Sequence, residues 1–523
     1  MTKQKFLHAF LLLFILAATN FLQLNAQTAT GVKASVQYIQ APLFKGLSQN
    51  GMMRIRIYVP AGKEATYRNL QLNLDNEALK AIDKVSVLVR NDKEAGLLST
   101  APVVASVTPT TNLVNIPLEL TCKPGLNYIW ISATLKQDAN IDKKAKITAV
   151  ALTAANGTKL PLASATNNAF RLGVAVRKAW DDSVHTYRIP GMITTDKGTL
   201  VAVYDIRYKH AGDLPANIDV GMSRSTDGGK TWEPMKIIMD MGAPHANNGI
   251  GDPAVLFDPV TKKLWVAALW SKGDRSIRGS EPGLSPDTTG QFVLVSSDDD
   301  GRTWSAPYSI TTQVKDPKWH LYFNGPGNGI AMQNGTLVFP SQYWDESKKP
   351  GMPHSSIIYS TDHGKTWKSG VGAKSNTTEA QVVETTPGTL MLNMRDNRGG
   401  YRSVATTTDL GKTWVEHHTS QQALIDPTCM ASIIRASVTV KGKKRDVLFF
   451  SNVAEQHSRQ NTTIKASPDL GESWPAANAV MLDERRSYGY SALTKVDENT
   501  IGILYEGERD LYFVRVAISE IIK

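Results

Sequence analysis

One eight-residue pattern, Ser/Thr-x-Asp-x-Gly-x-Ser/Thr-Trp, occurs five times in the second half of the chain. Its copies are Ser225 to Trp232, Ser297 to Trp304, Ser360 to Trp367, Thr407 to Trp414 and Ser467 to Trp474. The pattern reads as a self-satisfied hairpin turn. An Asp carboxylate can accept from the N–H groups of its own turn, the Gly supplies a positive φ, and the Trp covers a large apolar area that pins the next strand. Five regularly placed copies predict a radial repeat of antiparallel sheets, a β-propeller. The stretch from Arg171 to Lys523 holds roughly six sheets of about sixty residues each, so a six-bladed propeller is expected in which one blade lacks the motif. The boxes themselves are structural, and a propeller by itself names no activity.

Upstream, from Gly31 to about Ala165, short β-type runs such as Arg54 to Val59, Val85 to Val89 and Tyr128 to Ser132 alternate with polar stretches. They predict an antiparallel sandwich. The whole is therefore expected to be all-β: a small β-sandwich over 27–165, a linker over 163–169 and a propeller over 171–523. Residues 1–26 read as a cleaved secretory signal. Lys3 and Lys5 precede an apolar run from Phe6 to Ala18, with Ala26 before the cut. That run is short for a membrane span, so a secreted, periplasmic or cell-surface protein is expected. The two cysteines, Cys122 and Cys429, fall in different expected domains and read as buried free thiols. The net charge of +10 is dispersed. The longest basic run, Lys441 to Arg445, is too short for a nucleic-acid surface, whereas dispersed positive charge suits a small acidic substrate.

The segments between the boxes carry the chemistry. Tyr187-Arg188-Ile189-Pro190-Gly191 opens the propeller, and Tyr204 to Asp213 follows. Further on come Gly251-Asp252-Pro253, Glu379-Ala380-Gln381-Val382, Asn393-Met394-Arg395, His457-Ser458-Arg459, Tyr490-Ser491-Ala492-Leu493 and Leu504-Tyr505-Glu506. An Arg-Ile-Pro segment followed by several aspartate boxes resembles the bacterial and animal exo-sialidases, over about residues 171–523.

The resemblance implies a retaining exo-α-sialidase. Arg188, Arg395 and Arg459 match the three arginines that hold the sialic acid carboxylate, a task suited to a planar guanidinium that stays charged. Tyr490 matches the nucleophile, with Tyr488 and then Tyr505 as rivals. A neutral phenol avoids the repulsion that a carboxylate nucleophile meets at an anomeric centre bearing its own carboxylate. Glu379 matches its base, with Glu384 as rival. Asp213 matches the loop acid/base, ahead of Asp205 and Asp219. Arg207 matches a further substrate-contacting arginine, and Asp252 the acid facing the sugar's hydroxyl or N-acetyl edge.

Taken singly, each of these residues has an ordinary explanation as a surface ion pair, a turn former or a packed tyrosine. It is their joint order that points to a site. No His-Glu-x-x-His pattern and no phosphate loop occurs; the resemblance implies no organic cofactor, no metal ligand is assigned, and a structural Ca²⁺ stays open because no ligand cluster commits to it. The expected partners are sialylated glycoproteins, glycolipids or oligosaccharides, with no nucleic acid, no membrane span and a monomeric chain. Transfer to a glycan acceptor, a related acidic sugar as substrate, and non-catalytic glycan binding are the competing functions. The N-terminal domain is expected either to bind carbohydrate or to brace the propeller.

Overall fold

The computed structural model describes residues 31–90, 101–162, 168–440 and 442–523. The leader read over 1–26 lies outside the described residues, as do positions 163–167 of the expected linker. Among the described residues the regular structure is almost all strand, with only short helical turns between.

Downstream of residue 177 the sheets follow one another in chain order. The first contains Thr186–Thr194, Leu200–Arg207, Ile218–Ser225 and Lys236–Met239, and the second runs outward from Ile250–Asp258. A third is built around Leu337–Trp344 and Pro353–Ser360. The fourth contains Thr377–Thr386, Thr389–Asp396, Ser403–Thr407 and Val415–Glu416, and the fifth Ser432–Val440, Lys443–Val453, Thr462–Ser467 and Ala479–Asp483. The last contains Ser491–Asp497, Thr500–Glu506 and Leu511–Ala517. The leading strands touch their counterparts in neighbouring sheets, and Thr186–Thr194 meets Ser491–Asp497, so the ring closes.

The outer strand of the last sheet is Ala169–Arg177, which comes from the opposite end of this region and pairs with Leu511–Ala517. No hairpin joins it to its neighbour, which is why this sheet carries no box.

The five boxes share one hydrogen-bond set. In the third, Ser360 Oγ accepts from Gly364 N at 2.8 Å and donates to Asp362 Oδ1 at 2.8 Å. Asp362 then accepts from Thr366 N at 2.9 Å and from Thr366 Oγ1 at 2.6 Å. These two bonds hold the Asp362 carboxyl down at about 2, and the N–H and hydroxyl of Thr413 do the same for Asp409. The Gly has positive φ in every box, as expected, but so does the residue before it, including Asp300, His363, Leu410 and Leu470. Each box Trp sits in an apolar cluster built with the preceding sheet: Trp232 lies edge-on to Phe513 at 5.3 Å, and Trp367 edge-on to Trp265 at 6.1 Å.

Residues 31–90 and 101–162 form two antiparallel sheets that share one apolar core, including Ile55, Ile57, Leu70, Leu72, Val87, Ile129, Ile131 and Ile147. The boundary with the ring is a shared strand. Ala169–Arg171 pairs with Lys144–Lys146, while Gly173–Arg177 pairs with Leu511–Val514. Leu43–Lys45 adds in parallel to Leu172–Val174, and Phe44 from it stacks on Tyr512 at 4.1 Å within the cluster between the fifth and last sheets. Arg171 makes two hydrogen bonds to Glu520, at 2.9 and 2.6 Å. Cys122 and Cys429 are buried and free.

Phe44 therefore fills the junction that no box Trp reaches. Phe44→Ala is expected to cost about 3–5 kcal/mol, read as a lower midpoint in urea unfolding followed through the ring's tryptophans.

Candidate active site

The site forms where the leading strands meet, and several of them are bent there. Thr186–Thr194 shifts register between Arg188 and Gly191, with Ile189 at φ 55°. Ile250–Asp258 shifts between Gly251 and Ala254, with Asp252 at φ 58°, and Thr377–Thr386 shifts between Thr377 and Ala380. Such bulges re-aim a side chain at a strand end, and here they occur next to Arg188, Asp252 and Glu379.

Tyr490 OH donates to Glu379 Oε1 at 2.5 Å. Arg395 Nη1 donates to Glu379 Oε2 at 2.6 Å and to Tyr490 OH at 3.1 Å. Burial pushes the Tyr490 phenol well above its usual value and the Glu379 charge pushes it further, while Arg395 and Arg188 pull it back. The guanidinium of Arg188 lies 5.4 Å from the centre of the Tyr490 ring and that of Arg459 5.9 Å. Arg459 is fixed from behind by the carbonyls of Tyr488, at 2.8 Å, and Thr428, at 3.1 Å.

The rivals have other partners. Tyr488 offers its ring face to Arg188 at 4.3 Å. Tyr505 donates to Asp483 at 3.0 Å, in the cluster with Phe44 and Tyr512. Glu384 accepts from Gln333 N and Gly388 N.

Asp213 stands on the loop after Leu200–Arg207, its side chain 67% exposed. Arg207 Nη1 donates to it at 2.7 Å, and Arg188 lies 3.6 Å away. Desolvation alone would raise this carboxyl, but Arg207 and Arg188 hold it below the usual carboxylate range. Arg207 is itself buried, and its other donors go to Asp205 and the carbonyl of Ala211. It supports Asp213 from beneath more than it faces the opening. Asp205 also accepts from Asp252 N at 2.8 Å. Burial, then the nearby charges of Asp205, Glu379 and Asp213, push the Asp252 carboxyl well up. Asp219 is away from this group, bonded to Tyr208.

No role was expected for Glu506. Its side chain is fully buried. Oε1 accepts from Arg188 Nε at 3.1 Å and Ile189 N at 2.9 Å, while Oε2 accepts from Tyr490 N at 2.9 Å. A Glu closing an apolar strand, Ile501 to Glu506, was the available signal, because a buried acid needs partners.

Guanidinium groups converging on a phenol–carboxylate pair at the centre of a ring of sheets define a site for a small anionic ligand, with acids placed for proton transfer. The comparisons with known proteins give the family. Residues 193–503 match the BNR repeat-like domain, and residues 31–158 the N-terminal domain of BNR-repeat neuraminidase. A sialidase of Bacteroides fragilis (strain YCH46) is 48% identical over 412 residues, spanning 76% of this chain and 75% of that protein. A sialidase of Micromonospora viridifaciens is 34% identical over 329 residues, spanning 61% of this chain and half of that protein. The solved structure of the Hadza microbial sialidase Hz136 superposes with a TM-score of 0.86 at 39% identity, covering 93% of this chain and all of that one. The chain belongs to the bacterial exo-sialidase family, the BNR-repeat neuraminidases, and is a glycoside hydrolase of that kind. Among the described residues no helix is long and apolar enough to cross a membrane.

Glu506→Gln would turn one accepting oxygen into a donor against a buried guanidinium. Breaking a buried ion pair costs about 3–5 kcal/mol. A loss of that size in chemical unfolding, together with loss of turnover, is expected.

Proposed function

We propose that this enzyme removes terminal sialic acid from glycoproteins, glycolipids or oligosaccharides with retention of configuration, through a tyrosyl-enzyme intermediate. The observation that carries the proposal is the 2.5 Å hydrogen bond from Tyr490 to Glu379, braced by Arg395. Arg188, Arg395 and Arg459 bind the substrate carboxylate. Asp213 gives a proton to the glycosidic oxygen as the C2–O bond breaks. Tyr490 passes its proton to Glu379 and bonds to the anomeric carbon. Asp213, now a base, takes a proton from water, whose oxygen displaces the tyrosine and frees the sugar, while Glu379 returns its proton to the departing Tyr490 oxygen. Asp252 meets the sugar's hydroxyl or N-acetyl edge, and Arg207 orients Asp213.

In domain terms, we read residues 1–26 as a leader, 27–165 as a β-sandwich and 171–523 as a six-bladed catalytic propeller. The stacking of Phe44 on Tyr512 favours a bracing role for the sandwich.

Release of 4-methylumbelliferone from its α-sialoside is expected from the wild type. It should fall by at least about a hundredfold in Tyr490→Phe, with the melting curve unchanged. Near-wild-type turnover by that variant would remove Tyr490 from the mechanism.

The acid supplies a second test. Because Asp213 is held below the usual carboxylate range in the free enzyme, its protonated fraction shrinks as pH rises through the acid range, so kcat/KM should fall throughout that range. A bound substrate carboxylate competes for Arg188 and lets the Asp213 pKa rise, so kcat should persist to higher pH. Superimposable profiles of kcat and kcat/KM would contradict this role for Asp213.

A further inference from the structure

The repeat supplies its own internal control, and one box departs from it. Before the final Ser/Thr-Trp, four boxes carry a base: Lys230, Arg302, Lys365 and Lys412. The fifth carries Glu472. The chain just after the fourth box carries two consecutive histidines, His417 and His418. The fold brings these departures together. His417 and His418 follow the outer strand Val415–Glu416 of the fourth sheet, and Glu472 lies in the turn after Thr462–Ser467 of the fifth.

His417 Nε2 lies 3.5 Å from Glu472 Oε1, and His418 Nδ1 lies 3.8 Å from Glu472 Oε2. One ligand atom from each residue falls within 4.8 Å of the other two, the one such group of three His, Cys, Asp or Glu among the described residues. Ligands about 2.1 Å from a tetrahedral centre sit about 3.4 Å apart, so a small inward movement would close the set on one ion. The far side of each imidazole is already engaged, as in metal sites whose second ring nitrogen is held by a neighbour. His418 Nε2–H donates to the carbonyl of Glu472 at 3.0 Å, which leaves its Nδ1 lone pair bare. His417 Nδ1 accepts from Thr419 N at 3.4 Å and lies 2.8 Å from Thr419 Oγ1, so Nε2 faces the carboxylate with its proton, and binding a metal there moves that proton to Nδ1, which then donates to Thr419 Oγ1.

We propose that His417, His418 and Glu472 form a zinc site that staples the fourth sheet to the fifth. Two imidazoles and a carboxylate suit Zn²⁺, with water as the fourth ligand. The site follows the outermost strand of the fourth sheet, Val415–Glu416, where His417 N donates to the carbonyl of Val404. Glu379 and Arg395 stand on the two strands at the other edge of that sheet, Thr377–Thr386 and Thr389–Asp396. The staple is therefore structural and independent of the proposed reaction.

The test is calorimetric titration of ZnCl₂ into the full chain after metal removal, with melting curves beside it. One equivalent binding in the micromolar range and a melting temperature that rises with zinc are expected for the wild type. Glu472→Lys installs the type of residue that the other boxes carry, so its fold is safe. It and His418→Ala should each weaken zinc binding at least about tenfold and abolish the melting shift, with turnover of the 4-methylumbelliferyl sialoside unchanged. No saturable zinc binding by the wild type, or binding equally tight in both variants, would overturn the site.

Discussion

The ring closes through the strand Ala169–Arg177, which leaves the N-terminal core and becomes the outer strand of the last sheet. Everything at the centre depends on that pairing. It brings the start of the ring beside its end, so that Arg188 meets Glu506 across 318 residues of sequence. Glu506 then holds Arg188 with one oxygen and the backbone of Tyr490 with the other. The same strand accepts Leu43–Lys45 and delivers Phe44 to the last junction. The N-terminal region and the last sheet of the ring thus share one continuous ladder of backbone hydrogen bonds.

Within the centre, charge is arranged in alternation. Glu379 sits between Arg395 and the phenol, Glu506 behind Arg188, and Asp213 against Arg207 and Arg188. Each buried charge has a partner, which is the condition for keeping it buried. The arrangement also separates two carboxyls: Asp213 is held low by arginines and Asp252 is driven up by burial and by like charges. Environments that push two acids apart are how one site holds groups of different protonation at one pH.

Much of this was legible in the residues. The boxes announced a ring of sheets because their turn chemistry is local, and the motifs around Arg188, Glu379, Arg395 and Tyr490 named residues that the fold brings into contact. What was hidden depends on long-range packing. The two-residue spacing of Tyr488 and Tyr490 could not say which phenol reaches Glu379, because the kinked approach to Ser491–Asp497 decides it. Arg207 was visible as an arginine, but its burial under Asp213 was not. The expected linker ran into a strand, since Ala169 to Arg177 shows its purpose only once Leu511–Ala517 is beside it. The positive φ of Leu410 and Leu470 was missed, because a turn fixed by so many hydrogen bonds can hold a residue that would otherwise avoid that conformation. Glu472 stood out against its own repeat, yet meant nothing until His417 and His418 were seen to face it.

The placement of the box tryptophans has a consequence for assembly. Trp232 reaches back to the last sheet, but Trp304, Trp367, Trp414 and Trp474 each dock on a sheet that precedes their own in the chain. A growing chain can therefore seal each of those junctions as soon as the later sheet forms, laying the ring down in order of synthesis. Two seams cannot close this way. The seam under Trp232 and the seam around Phe44 both require the final strands, so the centre comes together only once the C-terminal sheet is in place, and the N-terminal core holds its part of that seam ready from the outset.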